Sequence, residues 1–243
     1  MSYFHSLSRL DFLGILGGMG PLASAEFLKT IYEYSLTGES EQESPRVVVY
    51  SDPTLPDRTQ ILLSGESEPL LSKLIEALHQ LSELKARRII ICCVTSHYLL
   101  AKLPADLQER IICLVDIILS NIIEQKKKHL LLCTTGTRRL KIFSQHPLWG
   151  QAKEYIILPD DSDQQTVHNM IYQIKTNGIS IPVAYQHAEC LAMKYNADSV
   201  IAGCTELHLL SKFSINGGEF QAKQDIQITF FDPLVHIAQS LAS

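Results

Sequence analysis

The chain has 243 residues, 46% of them hydrophobic and 19% charged, with a formal charge of −5. That composition supports one large domain or two small ones with a buried core. The scattered Lys and Arg leave no footprint for nucleic acid or an anionic membrane. The apolar runs are strand-sized, and the N-terminus lacks the basic-then-apolar pattern of a signal peptide, which predicts a cytoplasmic location.

In chain order, the first predicted strand is FLGILG at 12–17, followed by the glycine turn GGMGP and the helical stretch PLASAEFLKTIYEYS. The strand VVVY at 47–50 leads into SDPTLPDRTQ, a proline-bounded loop that displays Arg58. The helix PLLSKLIEALHQLSEL precedes the strand IIIC at 89–92. Lys126, Lys127 and Lys128 are placed to cap the end of a helix before the strand HLLLC at 129–133. Next come the strand YIIL at 155–158, the helix AYQHAECLAMKYN and the strand SVIAG at 199–203. The last segment, IQITFFDPLVHIAQSLA, reads as strand, turn and helix. Continuous rather than alternating hydrophobicity, with helical periods between the runs, marks parallel strands covered on both faces. The fold class is α/β, with mainly parallel open sheets flanked by helices.

The chain repeats itself. ARRIIICCVTSHYLL and ADSVIAGCTELHLL each place a cysteine seven residues after the alanine, at Cys93 and Cys204, and a histidine eleven after it, at His97 and His208. GILGGMGP and LLLCTTGT pair in the same sense. Two pseudo-symmetric subdomains follow. The first is expected at 10–115 plus 225–243, with the last strand and helix returning to complete it, and the second at 116–224. The crossings are placed near Asp116 and in the NGGEF loop at 216–220.

In parallel α/β sheets ligands bind beyond the carboxyl ends of the strands, and Cys93 and Cys204 both stand there. Two such sheets facing one another would place the two thiols across one cleft, which is the expected active site. Positions at the start of helices lower a thiol's pKa, and Thr95, Ser96 and Thr205 would offer hydroxyls and N–H groups to a carboxylate. Two thiols on opposite faces of a small anion can move a proton from one side of a carbon to the other. No metal or cofactor is needed for that, because a loop that binds the carboxylate also stabilises the enolate-like charge. The six cysteines contain no CxxC pair and no zinc-like spacing. Cys92, Cys113, Cys133 and Cys190 are read as structural, and Cys92 is expected to face the core where Cys93 faces the cleft. His97 and His208 are read as caps or solvated residues. Glu206, beside Cys204, is either an aid to thiolate formation or an exposed helix-start glutamate.

Gly18-x-Gly20-x-x-Ala23 matches the dinucleotide fingerprint, but Pro21 removes an N–H from the loop and no acidic residue closes the motif about twenty residues on. A tight turn that brings backbone close to a small ligand is the expected role of this stretch, Met19 included. Arg58 suits a carboxylate, which arginine grips bidentately.

Together, LGILGGMGPLASAEF, DPTLPDRT, CVTSH, LLCTTGT, IAGCTEL and FFDPLVHIA resemble the cofactor-independent aspartate/glutamate racemases, most closely the aspartate racemase branch, over nearly the whole chain. The resemblance implies an isomerase, usually a homodimer, that racemises a small amino acid by two-base proton transfer through Cys93 and Cys204. It implies Arg58 as the residue for the substrate's side-chain carboxylate. Thr95, Ser96, Thr134, Thr135, Thr137 and Thr205 would hold the α-carboxylate or amine. The sequence departs from the pattern twice. Val94 stands where the family has asparagine, and the lysine expected four residues after Tyr172 is Thr176, with Lys175 one residue earlier and about 100° round the helix. Lys175 is therefore expected to point away from the site. The alternatives are another activity of the superfamily (hydantoin racemase, maleate isomerase or decarboxylase), a non-catalytic small-carboxylate binding protein, and, last, a redox protein built on Cys92 and Cys93.

Overall fold

The computed structural model describes residues 11–36, 40–217 and 228–242. The described chain forms two compact units, Met1–Leu114 with Leu234–Ser243, and Val115–Pro233.

The first unit is built on a parallel sheet of order β2-β1-β3, from β1 (Phe12–Gly17), β2 (Arg46–Ser51) and β3 (Ala86–Ile91). The central strand β1 is buried along most of its length, as its unbroken apolar run requires, while the edge strand β2 is partly exposed. Helices α1 (Pro21–Ser35), α2 (Arg58–Ser64), α3 (Glu68–Glu83) and α4 (Ala105–Gln108) surround the sheet. Helix α3 packs on β1 and β3 through Leu70, Leu74, Leu78 and Leu81. Each buried leucine contributes roughly 1.5–3 kcal/mol, against about 0.2–1 kcal/mol for a surface ion pair such as Lys29–Glu33 on α1. Apolar faces rather than ion pairs hold these helices. A single parallel bridge from Ile111 to Ile89 occupies the place of a fourth strand beside β3.

Helix α5 (Leu114–Gln125) follows, and its end at Gln125 puts Lys126, at φ 54°, just beyond the last turn. The second unit repeats the topology with β4 (His129–Leu132), β5 (Ile156–Ile157) and β6 (Ser199–Ala202) in the order β5-β4-β6, and extends it with β7 (Thr229–Phe231) beside β6. All pairings are parallel. Its helices are α6 (Thr135–Arg139), α7 (Trp149–Ala152), α8 (Asp161–Lys175), α9 (Ile181–Lys194) and α10 (His208–Ile215). The core gathers Leu130, Leu132, Met170, Ile171, Ala188 and Val200 between the sheet and helices α8 and α9. Helix α11 (Pro233–Ala242) belongs, from Leu234, to the first unit.

The division differs from the expected one at the second crossing. The first unit was expected to begin again at 225, but β7 pairs with β6 in the second sheet, and the chain rejoins the first unit only at Leu234. The NGGEF loop proposed for that crossing lies mostly outside the described residues. The symmetry explains the later boundary: the Ile111 bridge and β7 hold equivalent places beside β3 and β6, and each is followed by a helix counted largely with the other unit.

His129 opens β4 fully buried, its Nδ1 paired with the Ser199 hydroxyl. Burial, helped by the charge of Lys127 and opposed by Asp198, holds its pKa below the ordinary histidine value. An unfolded histidine takes up a proton near pH ~6.5, whereas the folded one resists it. The stability due to this shift is therefore complete above about pH 6.5 and is lost as pH falls toward the lower folded pKa. Urea unfolding midpoints are expected to drop between about pH 7.5 and 5.5, and to drop less in His129→Asn.

Candidate functional site

In each unit the strand that ends at the repeated cysteine stops in an extended residue, and a 3₁₀ helix begins immediately after it. Cys93 has φ −164° and ψ 107° ahead of the 3₁₀ helix Val94–Lys102. Cys204 has φ −140° and ψ 139° ahead of Thr205–Leu207. Both are buried, at 6% and 4% exposure, and both are free thiols. Cys92 is wholly buried, and its N–H bonds the Leu16 carbonyl across to β1. Burial pushes the Cys133 thiol up to about 12, which keeps it protonated and inert. Cys190, read as structural, is instead exposed on α9.

In the first unit, Met19 joins the predicted residues. Its carbonyl accepts a 2.9 Å hydrogen bond from Arg58 Nη2, and its sulfur lies 3.2 Å from the Ser96 hydroxyl, which donates to it. Arg58 is not displayed on a loop, as its proline-rich setting suggested. It is the first residue of α2, 9% exposed, and its Nη1 also donates to the carbonyls of Leu55 and Pro56 at 3.1 and 2.8 Å. The guanidinium thus ties the glycine turn to the proline loop, with three hydrogen bonds to main-chain carbonyls. Gly18, at φ +86°, sits with its backbone against Asp52, where a Cβ would come within 2.3 Å of the Asp52 carbonyl carbon. The tight turn therefore serves close approach of chain to chain. Val94, Thr95 and Ser96 are buried in the turn after Cys93.

His97 is also buried. Its Nδ1 lies 3.0 Å from the Cys93 carbonyl and its Nε2 lies 3.1 Å from the Leu114 N–H. A carbonyl only accepts and an N–H only donates, so the ring is neutral with its proton on Nδ1. The other repeated histidine, His208, is wholly buried and pairs with Asp232 Oδ2 at 2.6 Å. Neither is solvated. Each ties its cysteine loop to the residues where the chain crosses to the other unit, at Leu114 and just before Pro233.

In the second unit, Thr134 caps α6 by accepting from the Thr137 N–H, and the two hydroxyls are 3.1 Å apart. Helix α8 runs beside this loop and the Cys204 loop. Gln164 donates to the Cys133 carbonyl at 2.8 Å, and His168 Nδ1 accepts from the Thr135 N–H at 3.4 Å. The His168 and Tyr172 rings pack in a tilted pair, with centroids 4.3 Å apart. Lys175 Nζ lies 4.6 Å over the Tyr172 ring and 3.7 Å from Glu206 Oε1. Glu206 is buried at 2% exposure, and its Oε2 accepts a 2.8 Å hydrogen bond from Cys204 Sγ. Thr205 is buried beside it.

Two expectations are corrected here. Glu206 is not an exposed helix-start residue, because its carboxylate turns inward to the thiol. Lys175 does not point away, because residues three and four apart share a helix face and a lysine stem spans the difference; Thr176 is exposed and its hydroxyl bonds back to the Tyr172 carbonyl. Gln164 and His168 went unread in the sequence. Their spacing of four, continued to Tyr172, was the available signal.

Two α/β units, each with a cysteine just beyond the carboxyl end of the strand that follows the central one in the sheet order, define the class. The sequence matches the Asp/Glu/hydantoin racemase family over residues 16–234, and the chain belongs to that family. It is 27% identical over 207 residues to the broad specificity amino-acid racemase RacX of Bacillus subtilis (strain 168), covering 81% of this chain and 86% of that protein. Its fold resembles the aspartate racemase of Picrophilus torridus, with a TM-score of 0.76 at 22% identity over 95% of this chain and 92% of that one. It also resembles the glutamate racemase of Francisella tularensis subsp. tularensis SCHU S4 in complex with D-glutamate, with a TM-score of 0.58 at 14% identity over 97% of this chain and 80% of that one. No described helix is long and apolar enough to cross a membrane.

Proposed function

We propose that this protein is a cofactor-independent amino-acid racemase, that Cys93 and Cys204 are its two proton carriers, and that aspartate, or a related small amino acid, is its substrate. The observation that carries this reading is the 2.8 Å hydrogen bond from Cys204 to the buried Glu206 carboxylate, at the strand-end position that Cys93 repeats. A thiol in that contact can pass its proton to the carboxylate and become the thiolate that attacks a C–H bond.

In the forward step the thiolate takes the α-proton and the electron pair of the broken C–H bond moves into the carboxylate, giving an enolate-like dianion. The other thiol returns its own proton to the opposite face of the carbon. The product has inverted configuration, one thiol and one thiolate have exchanged roles, and the reverse reaction starts from that state. The hydroxyls and N–H groups of Thr95, Ser96, Thr134, Thr135, Thr137 and Thr205 supply donors for the α-carboxylate, where charge builds up in the transition state. Val94 offers only backbone to the substrate. The family membership supports racemisation, and the relatives named above, one broad in specificity and one an aspartate racemase, support the substrate range.

The test is incubation of reduced protein with each enantiomer of aspartate and glutamate in deuterated water, following α-deuteration and optical rotation. Exchange with inversion is expected for at least one pair. Absence of exchange with every amino acid tried would overturn the racemase reading in favour of a carboxylate-binding protein.

A further inference from the structure

We propose that Lys175 is the counter-cation of the Cys204–Glu206 pair, a positioning residue that acts through Glu206 and not a contact to substrate. The inference rests on reading Cys204 as a proton carrier. The geometry is a line of three groups within the second unit: Cys204 Sγ donates to Glu206 Oε2 at 2.8 Å, and Lys175 Nζ stands 3.7 Å from the other oxygen, Oε1. That oxygen is buried and accepts no hydrogen bond among the described residues. A buried carboxylate needs a compensating charge, and the ammonium supplies it. The Tyr172 ring face beneath Nζ steadies the ammonium there.

The chemistry gives the arrangement its purpose. Thiol plus carboxylate, and thiolate plus carboxylic acid, each carry one negative charge. Passing the proton from Sγ to Oε2 breaks one S–H bond and forms one O–H bond without changing the total. A single cation held beside the pair balances its net charge in both states. Without Lys175, that charge would stand uncompensated in a buried setting. The other ionisable groups on the helices packed against this turn are Asp161, Asp163, His168 and Tyr172 on α8, and His208 and Lys212 on α10. His208 is directed to Asp232.

The test compares wild type, Lys175→Met and Lys175→Arg, each beside its own Cys204→Ala counterpart. Thiolate absorbance is titrated with pH, and the difference within each pair is the ionisation of Cys204 alone. In Lys175→Met the midpoint is expected to rise by about one pH unit, the lower end of what an opposite charge at this distance produces. Arg is expected to restore it. In steady state, kcat for Lys175→Met should fall about tenfold, following the lost thiolate fraction, with KM little changed. An unshifted titration, or a raised KM at constant kcat, would overturn the proposal and make Lys175 a substrate contact. If the midpoint shifts while no variant, nor the wild type, turns over any amino acid, this inference stands and the racemase reading falls.

Discussion

Cys93→Ala and Cys204→Ala are each expected to lose racemisation by about 10³-fold or more, toward the upper range of what a positioned acid or base contributes. The two losses should differ in kind. With one thiol gone, the other can still remove a proton and return a deuteron on its own face. Each variant should therefore wash deuterium slowly into one enantiomer with retention, and the susceptible enantiomer should be opposite in the two. Chiral chromatography with mass detection reads both quantities in one sample. Cys92→Ala is the control: Cys92 is wholly buried and its main-chain N–H is engaged with β1, so the change should cost some stability and leave turnover intact. Racemisation persisting near the wild-type rate in either Cys93→Ala or Cys204→Ala would eliminate the two-thiol mechanism.

Arg58→Met is expected to destabilise the protein by about 2–4 kcal/mol, because three main-chain carbonyls lose their donors in a buried setting. A residue serving only the substrate's side chain would instead leave stability unchanged and raise KM for acidic amino acids. Urea unfolding followed by far-ultraviolet circular dichroism separates the two roles. Arg58→Lys should recover only part of the loss, since an ammonium lacks the planar fork that reaches Met19 on one side and the Leu55 and Pro56 carbonyls on the other. If Arg58→Met unfolds at the wild-type midpoint, the bracing role assigned to the guanidinium is wrong.

The strands and the positions of both cysteines could be read from the chain because parallel buried strands leave unbroken apolar runs, and because a duplicated frame repeats its spacing. The family could be recognised for the same reason: its motifs sit at strand ends, where local sequence is distinctive. What could not be read depends on distant partners. The three residues of β7 carry no mark of which sheet they join, so the last strand was given to the wrong unit. Arg58 lies among prolines that suggest an exposed loop, and its burial is decided by Met19, 39 positions away. Lys175 was misjudged by its 100° offset from position 176, although the third residue from Tyr172 shares that face as well and its partner, Glu206, belongs to another strand end. The two histidines were undervalued because their bonds, to Leu114 and Asp232, lie at the crossings rather than in their own motifs.

Those crossings bear on when the protein can fold. The first unit breaks off at Leu114 and resumes only at Leu234, with the whole of Val115–Pro233 between. Domains emerging from a ribosome usually fold in order from the N-terminus, but here the earlier unit must wait for α11, while the later one has all of its described strands once β7 is made. Synthesis order and completion order are therefore reversed, and the N-terminal half spends the longest time with a face of its core uncovered.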